Sequence, residues 1–147
     1  MEVVASETLP TAAEYIDLRA RAGWGLIGEE TASKTIEAAA FTICLRCDKR
    51  LVGLARVMGD GVLYFFLADL IVDPAFRGDK LGERLMRAVT DYFESCAQPG
   101  ASITLVPLKG REPFYEKFGF VRCPDGPFGT GMHYAAAPRP ATVPRRD

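Results

Sequence analysis

Eleven consecutive residues, Val62 to Val72, carry a single charged side chain, Asp69, and no other stretch constrains the fold as much. Their β-branched and aromatic content, with Gly59-Asp60-Gly61 before them and Pro74 behind, reads as a buried central strand rather than a helix. From Leu81 the period changes. Leu81, Leu85, Ala88, Val89 and Tyr92 fall on one helical face, and Glu83, Arg84, Arg87, Asp91 and Glu94 fall on the other. That helix should end near Gln98-Pro99-Gly100.

The remaining elements arrange themselves around this strand and helix. Val3 and Val4 suit a short strand. Pro10 and Thr11 open a helix that closes at Gly23, the loop Trp24 to Gly28 follows, and a second helix covers roughly Glu29 to Ala39. Phe41 to Cys47 and Leu51 to Met58 are two strands joined by the turn Asp48-Lys49-Arg50. Ile103 to Val106 is a short strand and Glu112 to Phe118 a short helix. Phe120 to Arg122 and Met132 to Ala136 are expected as the last strands. The order β-α-α-β-β-β-α-β-α-β-β predicts a mixed α/β (α+β) domain with a mostly antiparallel sheet.

A chain of 147 residues suits one domain, expected over 1–137, with the Pro- and Arg-rich stretch 138–147 as a disordered tail. With 48% hydrophobic and 25% charged residues it can build its core without staples. A net charge of -1 gives no reason to expect nucleic acid as a partner. The start, Met1 to Pro10, lacks the basic and apolar regions of a signal peptide, and no apolar run is long enough to span a bilayer. The expectation is a cytoplasmic protein with no membrane partner, whose four cysteines are reduced thiols. Cys44 and Cys47 have the spacing of half a zinc knuckle, but Cys96 and Cys123 supply no second pair, so no metal is expected.

The chemistry concentrates where the buried strand ends. Asp73-Pro74 is followed by Arg77-Gly78-Asp79-Lys80-Leu81-Gly82 and then by the amphipathic helix. Unsatisfied N–H groups at a helix start, with the helix dipole behind them, make an anion site. Gly78 and Gly82 let an anion approach the backbone, and Lys80 and Arg84 can add charge at the rim. Neither a nucleotide P-loop nor a Rossmann fingerprint fits the spacing, and a solvated basic loop is the bland alternative.

Two segments then resemble the GNAT acyltransferase superfamily. Val72-Asp73-Pro74 with Arg77, Leu81 and Gly82 is similar to its cofactor-binding pattern, Arg/Gln-x-x-Gly-x-Gly/Ala after a Val-x-Pro strand end. Phe114-Tyr115-Glu116-Lys117-Phe118-Gly119-Phe120 is similar to its Phe-Tyr-x-Lys-x-Gly-Phe signature. The resemblance runs from roughly Val3 to Ala136. Lys80 departs from it, standing where the family has its first glycine. A lysine there can still donate its backbone N–H provided φ stays negative, and on that condition the site is expected to survive.

The resemblance implies an acetyl-CoA-dependent N-acetyltransferase acting on a primary amine; if the chain assembles, a homodimer is the default expectation, being the commonest assembly among soluble oligomers. A non-catalytic acyl-CoA-binding module and a protein lysine acetyltransferase stand as alternatives. It also implies a cleft between Leu70-Ile71-Val72 and the strand at Ile103 to Val106. There a backbone N–H near Leu70 or Ile71 binds the acyl oxygen, and residues 77–82 (Arg77, Gly78, Asp79, Lys80, Leu81, Gly82) hold the pyrophosphate. Tyr115 matches the residue that protonates the leaving thiolate, a sensible task for a phenol of pKa near 10. Asp69, a carboxylate in an apolar strand, is the candidate base, with a satisfied structural aspartate as the equal alternative. Trp24 and Tyr64 are candidate acceptor walls. Arg56, Asp60 and His133 are more simply surface or core residues.

Overall fold

The structure, a computed structural model, describes residues 2–134. One sheet carries five strands in chain order: β1 Val3–Ser6, β2 Phe41–Cys47, β3 Arg50–Gly59, β4 Tyr64–Val72 and β5 Ser102–Leu105. The first four pair antiparallel, and β5 runs parallel to β4. Among the described residues four helices flank it: α1 Ala12–Arg21, α2 Glu29–Ala38, α3 Leu81–Cys96 and α4 Glu112–Glu116. The expected mixed, mostly antiparallel α/β class is what forms.

Local chemistry explains the boundaries. Thr11 accepts the Glu14 N–H (3.1 Å) through its hydroxyl while its own N–H donates to the Glu14 carboxylate (2.9 Å), a reciprocal cap that starts α1. α3 lays Leu81, Leu85, Met86, Val89 and Phe93 on one face of the sheet, against Ile43, Leu45, Val57, Phe65 and Leu67. On the other face Tyr15 and Leu18 of α1 and Ala32 and Ile36 of α2 pack on Cys44, Leu51, Leu54 and Ile71. Each fully buried leucine or isoleucine contributes about 1.5–3 kcal/mol relative to exposure. Cys44 and Cys47 belong to these opposite faces, so they cannot share a ligand. Burial pushes the Cys44 thiol up to about 11, and all four cysteines are free.

One irregularity in β4 escapes the sequence pattern. Phe65 and Leu67 belong to the α3 face, whereas Asp69 and Ile71 lie on the α1 face, although strict alternation would keep all four together. The ladder shows why: Leu67 pairs with Val57 and Asp69 with Arg56, so Ala68 is an extra residue, a β-bulge. The bulge switches the face of everything that follows it.

The expected last strands do not form among the described residues. Phe120 to Arg122 is irregular and leads into a 3-10 turn at Cys123–Asp125, and Met132 to Tyr134 is irregular too. Pro124, Pro127, Gly126, Gly129 and Gly131 punctuate this stretch, removing ladder donors and adding backbone freedom. Ala135, Ala136 and the expected tail lie outside the described residues. Among the described residues no helix is long and apolar enough to cross a membrane.

Candidate active site

β4 and β5 pair only from Tyr64–Ser102 to Leu67–Leu105, and β4 continues to Val72 while the chain leaves β5. The strands therefore part just where the bulge sits, and a cleft of about 350 Å³ opens beside them. Leu70, Ile71 and Val72 form one wall, and Arg77, Gly78, Lys80, Leu81 and Gly82 form its end. Arg111, Phe114, Tyr115 and Lys117 face them, with Trp24 and Ala22 at the side. Asp79 is the member of the expected loop that does not line this cleft.

Strand geometry decides which backbone groups face it. The Asp73 N–H donates to the Val52 carbonyl (2.8 Å), toward β3. By the two-residue alternation of a ladder, the Ile71 N–H also points to β3, and the N–H groups of Leu70 and Val72 point to the open side. Of the two residues expected to supply the acyl-oxygen donor, Leu70 has the orientation and Ile71 does not. The Ile71 side chain is core, at 1% exposure.

The strand end is held firmly. Asp73, itself buried, accepts the Ala75 N–H (2.9 Å), forms an ion pair with Arg21 and has Arg50 at 3.9 Å. Arg21 also donates to the Leu51 carbonyl (2.8 Å). These bonds fix the 3-10 turn Pro74–Phe76, which delivers the chain to α3.

At the start of α3 the structure corrects one expectation. Lys80 has φ 58° and ψ 27°, a left-handed residue, not one of negative φ. The chain makes the left-handed turn a glycine would make easily, at a strain of roughly 1–2 kcal/mol for a residue with a Cβ. Gly78 is also at positive φ, 96°. Gly82 serves a different need: a Cβ there would sit 3.3 Å from Cζ of Phe114, so the glycine lets the α4 ring close over the first turn of α3. Four cations, Arg77, Lys80, Arg111 and Lys117, line the cleft against one carboxylate, Glu83, which takes Lys117 at 3.3 Å. The start of a 16-residue helix and this charge excess suit a polyanion.

Tyr115 is half-buried, with its ring edge-on to Phe114 (5.1 Å between centroids) and to Phe120 (6.4 Å). It lines both the cleft and a second cavity of about 800 Å³ that runs along β5 to Phe128. Burial pushes its phenol above the ordinary value of 10, with Arg111 pulling the other way. A phenol held protonated is a proton donor at any physiological pH.

Asp69 is not where a base for the cleft should be. It is 2% exposed, faces α1, and accepts from the Tyr15 hydroxyl (2.6 Å) and from Nε of Arg56 (2.5 Å). It is absent from the cleft wall. Asp69 therefore sits in a buried ion pair with Arg56, the satisfied-aspartate alternative, rather than on the cleft wall. Arg56, read as an ordinary residue, is its partner. Asp60 accepts the N–H groups of Val62, Leu63 and Tyr64 and shapes the turn before β4. Tyr64 and His133 are exposed and outside the cleft. Trp24 does line it. Sequence reasoning missed Arg111 and Phe114 as walls, although Phe114 opens the tyrosine motif and Arg111 stands just before it. It missed Tyr15 altogether, because nothing local ties that residue to Asp69 54 positions away.

Comparison with known proteins agrees with this geometry. The family described as "Acetyltransferase (GNAT) domain" matches residues 14–132. "GCN5-related N-acetyltransferase 1, chloroplastic" of Arabidopsis thaliana is 33% identical over 78 residues, 53% of this chain and only 39% of that protein's length. Among solved structures, a protein of unknown function from meticillin-resistant Staphylococcus aureus, described as a "Probable Acetyltransferase", superposes with TM-score 0.80. It is 30% identical and covers 90% of this chain and 100% of its own. A GNAT family acetyltransferase of Streptococcus pneumoniae superposes with TM-score 0.73 at 23% identity, covering 90% and 96% of the two chains.

Proposed function

Because the chain belongs to the GNAT acetyltransferase family and is an acyltransferase, we propose that it transfers an acetyl group from acetyl-CoA to a primary amine by direct attack in a ternary complex. The observation that carries this reading is the cleft itself. An open strand edge, a cationic helix start and a proton-holding tyrosine meet in one volume of about 350 Å³.

The residues fit coenzyme A. The N–H groups at the start of α3, with Arg77, Lys80 and Arg111 around them, suit its phosphates. The exposed edge of β4 at Leu70 and Val72 suits an amide-bearing arm, which would add to the edge as a strand does. The bound thioester supplies an activated acyl group. The chain's own part is to hold and polarise. Leu70 directs its N–H at the acyl oxygen, where negative charge develops. Tyr115 gives its phenolic proton to the departing sulfur. Asp69 is engaged elsewhere, so the amine loses its proton to water at the cleft mouth. Turnover should then rise with pH until the acceptor amine is neutral.

The test is thiol release from acetyl-CoA across a panel of primary amines: polyamines, arylalkylamines, amino sugars and lysine peptides. Release above the no-amine background with at least one of them supports the reading. Tight acetyl-CoA binding with no release for any acceptor would favour a non-catalytic acyl-CoA-binding module instead.

A further inference from the structure

The buried carboxylate that the chemistry does not use sits one residue before the donor that it does use. We propose that Asp69, clamped by Tyr15 and Arg56, is a positioning residue that fixes the register of β4 beyond the bulge and so aims the Leu70 N–H into the cleft. This rests on the acyl-transfer reading above and adds to it a reason for the buried charge.

The clamp is closed on all sides. Tyr15 donates its hydroxyl proton to Oδ2 of Asp69 (2.6 Å), Arg56 donates to the same oxygen through Nε (2.5 Å), and the Arg56 Nη2 donates to the Tyr15 oxygen (3.2 Å). Nη1 of Arg56 donates to the Thr35 carbonyl in α2 (2.7 Å). The carboxylate thereby ties β4 to β3, α1 and α2 at a single point. Arg56 and Asp69 are also direct register partners, on the last rung before Ala68 is skipped.

Register is what such a pair can specify. An apolar strand such as Phe65 to Val72 has little else to choose between its faces, and a slip of one residue inverts every side chain. Without the extra residue, Asp69 would follow Leu67 into the α3 core, beside Leu85 and Val89, as an uncompensated charge. With the bulge it meets Arg56 and Tyr15. A buried ion pair is seldom a source of net stability, and its attested value is in selecting one arrangement over its neighbours. The selected arrangement is the one that matters for transfer, because the Leu70 N–H belongs to the Asp69–Leu70 peptide. Rotating that plane by a fraction of a turn moves the donor off the acyl oxygen, while the phosphate end of the cleft, built from residues 77–82, is untouched.

The discriminating variant is the apolar exchange Arg56→Met/Asp69→Leu, since such a pair of replacements commonly keeps or raises stability. The expected result is a kcat lower by about 10- to 100-fold, the scale of a misplaced oxyanion donor, with the acetyl-CoA Kd within about 3-fold and the variant still folded, its Tm lowered only by the Tyr15 hydroxyl and Thr35 carbonyl left without their partners. Amide hydrogen exchange at Ile71, whose N–H bonds to β3, should be faster as the register loosens. Tyr15→Phe keeps the ring and removes one bond of the clamp. It should lower kcat in the same direction by about 3- to 10-fold, with Kd nearly unchanged and Tm lowered by the loss of one buried hydrogen bond to a charged group. A folded double variant with kcat within twofold of wild type overturns the proposal. If the double variant does not fold, Tyr15→Phe decides: a kcat within twofold overturns it equally. If wild type turns over no amine, the acyl-transfer reading is what has failed. The clamp is then judged on exchange at Ile71: faster exchange in Tyr15→Phe sustains it, and unchanged exchange rejects it.

Discussion

The two walls of the cleft are built to different standards. Every fully buried side chain among the described residues lies at or before Phe93; from Glu94 to Tyr134 none does. The β4 wall therefore belongs to a dense sandwich of α1, α2, the sheet and α3. The Tyr115 wall belongs to a half-buried layer held by aromatic edges and by rim pairs such as Arg122–Glu116 (3.0 Å). Dense packing fixes positions to fractions of an ångström, and sparse packing opens locally at low free energy. An acyl-oxygen donor needs the first property. A wall that must admit and release a large cofactor needs the second.

Truncating one leucine on each side gives the largest contrast. Leu54→Ala, at a site with 0% exposure, should cost about 2–5 kcal/mol in denaturant unfolding. Leu105→Ala, half-buried in β5, should cost less than about 1.5 kcal/mol. Equal losses would dissolve the distinction between the walls.

Chemistry should separate from stability in the sparse half. Tyr115→Phe should lower turnover by about 10- to 1000-fold, the range for one general acid, while Tm and acetyl-CoA affinity stay close to wild type. Since burial holds the phenol above 10, the protonated donor persists beyond pH 10, and the wild-type loss of turnover begins above that pH. The phenylalanine variant should lack that limb. Turnover within twofold of wild type makes Tyr115 a packing residue.

Gly82→Glu tests the seam between the halves. Its Cβ would press on Phe114 and its carboxylate would enter an anion site, so calorimetry should show acetyl-CoA affinity down by 10-fold or more. Wild-type affinity would remove residues 77–82 from the cofactor site. The smallest effect belongs to Lys80→Gly. Relief of the left-handed strain, about 1–2 kcal/mol, outweighs the roughly 0.5–1 kcal/mol that a glycine adds in chain entropy. A small rise in Tm is expected, with affinity within about fivefold. A fall in Tm would mean that the lysine side chain stabilises the loop more than its backbone strains it.

Much of this was readable before the structure. β2 occupies Phe41–Cys47 as expected, and the 3.6-residue period beginning at Leu81 marked α3 within two residues. Strong periodicity and capping chemistry are local, so a linear reading finds them. The bulge at Ala68 is not local: in an apolar run either face satisfies the pattern, and only partners from α1 and β3 choose between them. For the same reason Asp69 read equally well as a base or as a satisfied aspartate. The backbone of Lys80 was misjudged because the turn geometry overrides the residue's own preference. The irregular course after Phe120 followed from Pro and Gly spacing that the apolar residues around it concealed.

The parallel pairing of β5 with β4 has a consequence for how the protein reaches this state. β2, β3 and β4 form a meander whose neighbours are joined by tight turns, so their ladder can zip within a short span of chain. β5 can add only after α3 has carried the chain back across the sheet, from Asp73 to Ala101, which closes a far larger loop. The order of assembly therefore puts the opening of the cleft last, and substitutions in β5 should alter the unfolding rate and leave the folding rate nearly untouched, with φ-values close to zero. A folding rate that responds to Leu105→Ala as strongly as to Leu54→Ala would place β5 in the nucleus instead. On the ribosome the same order means that the rigid wall can be complete while Tyr115 is still inside the exit tunnel.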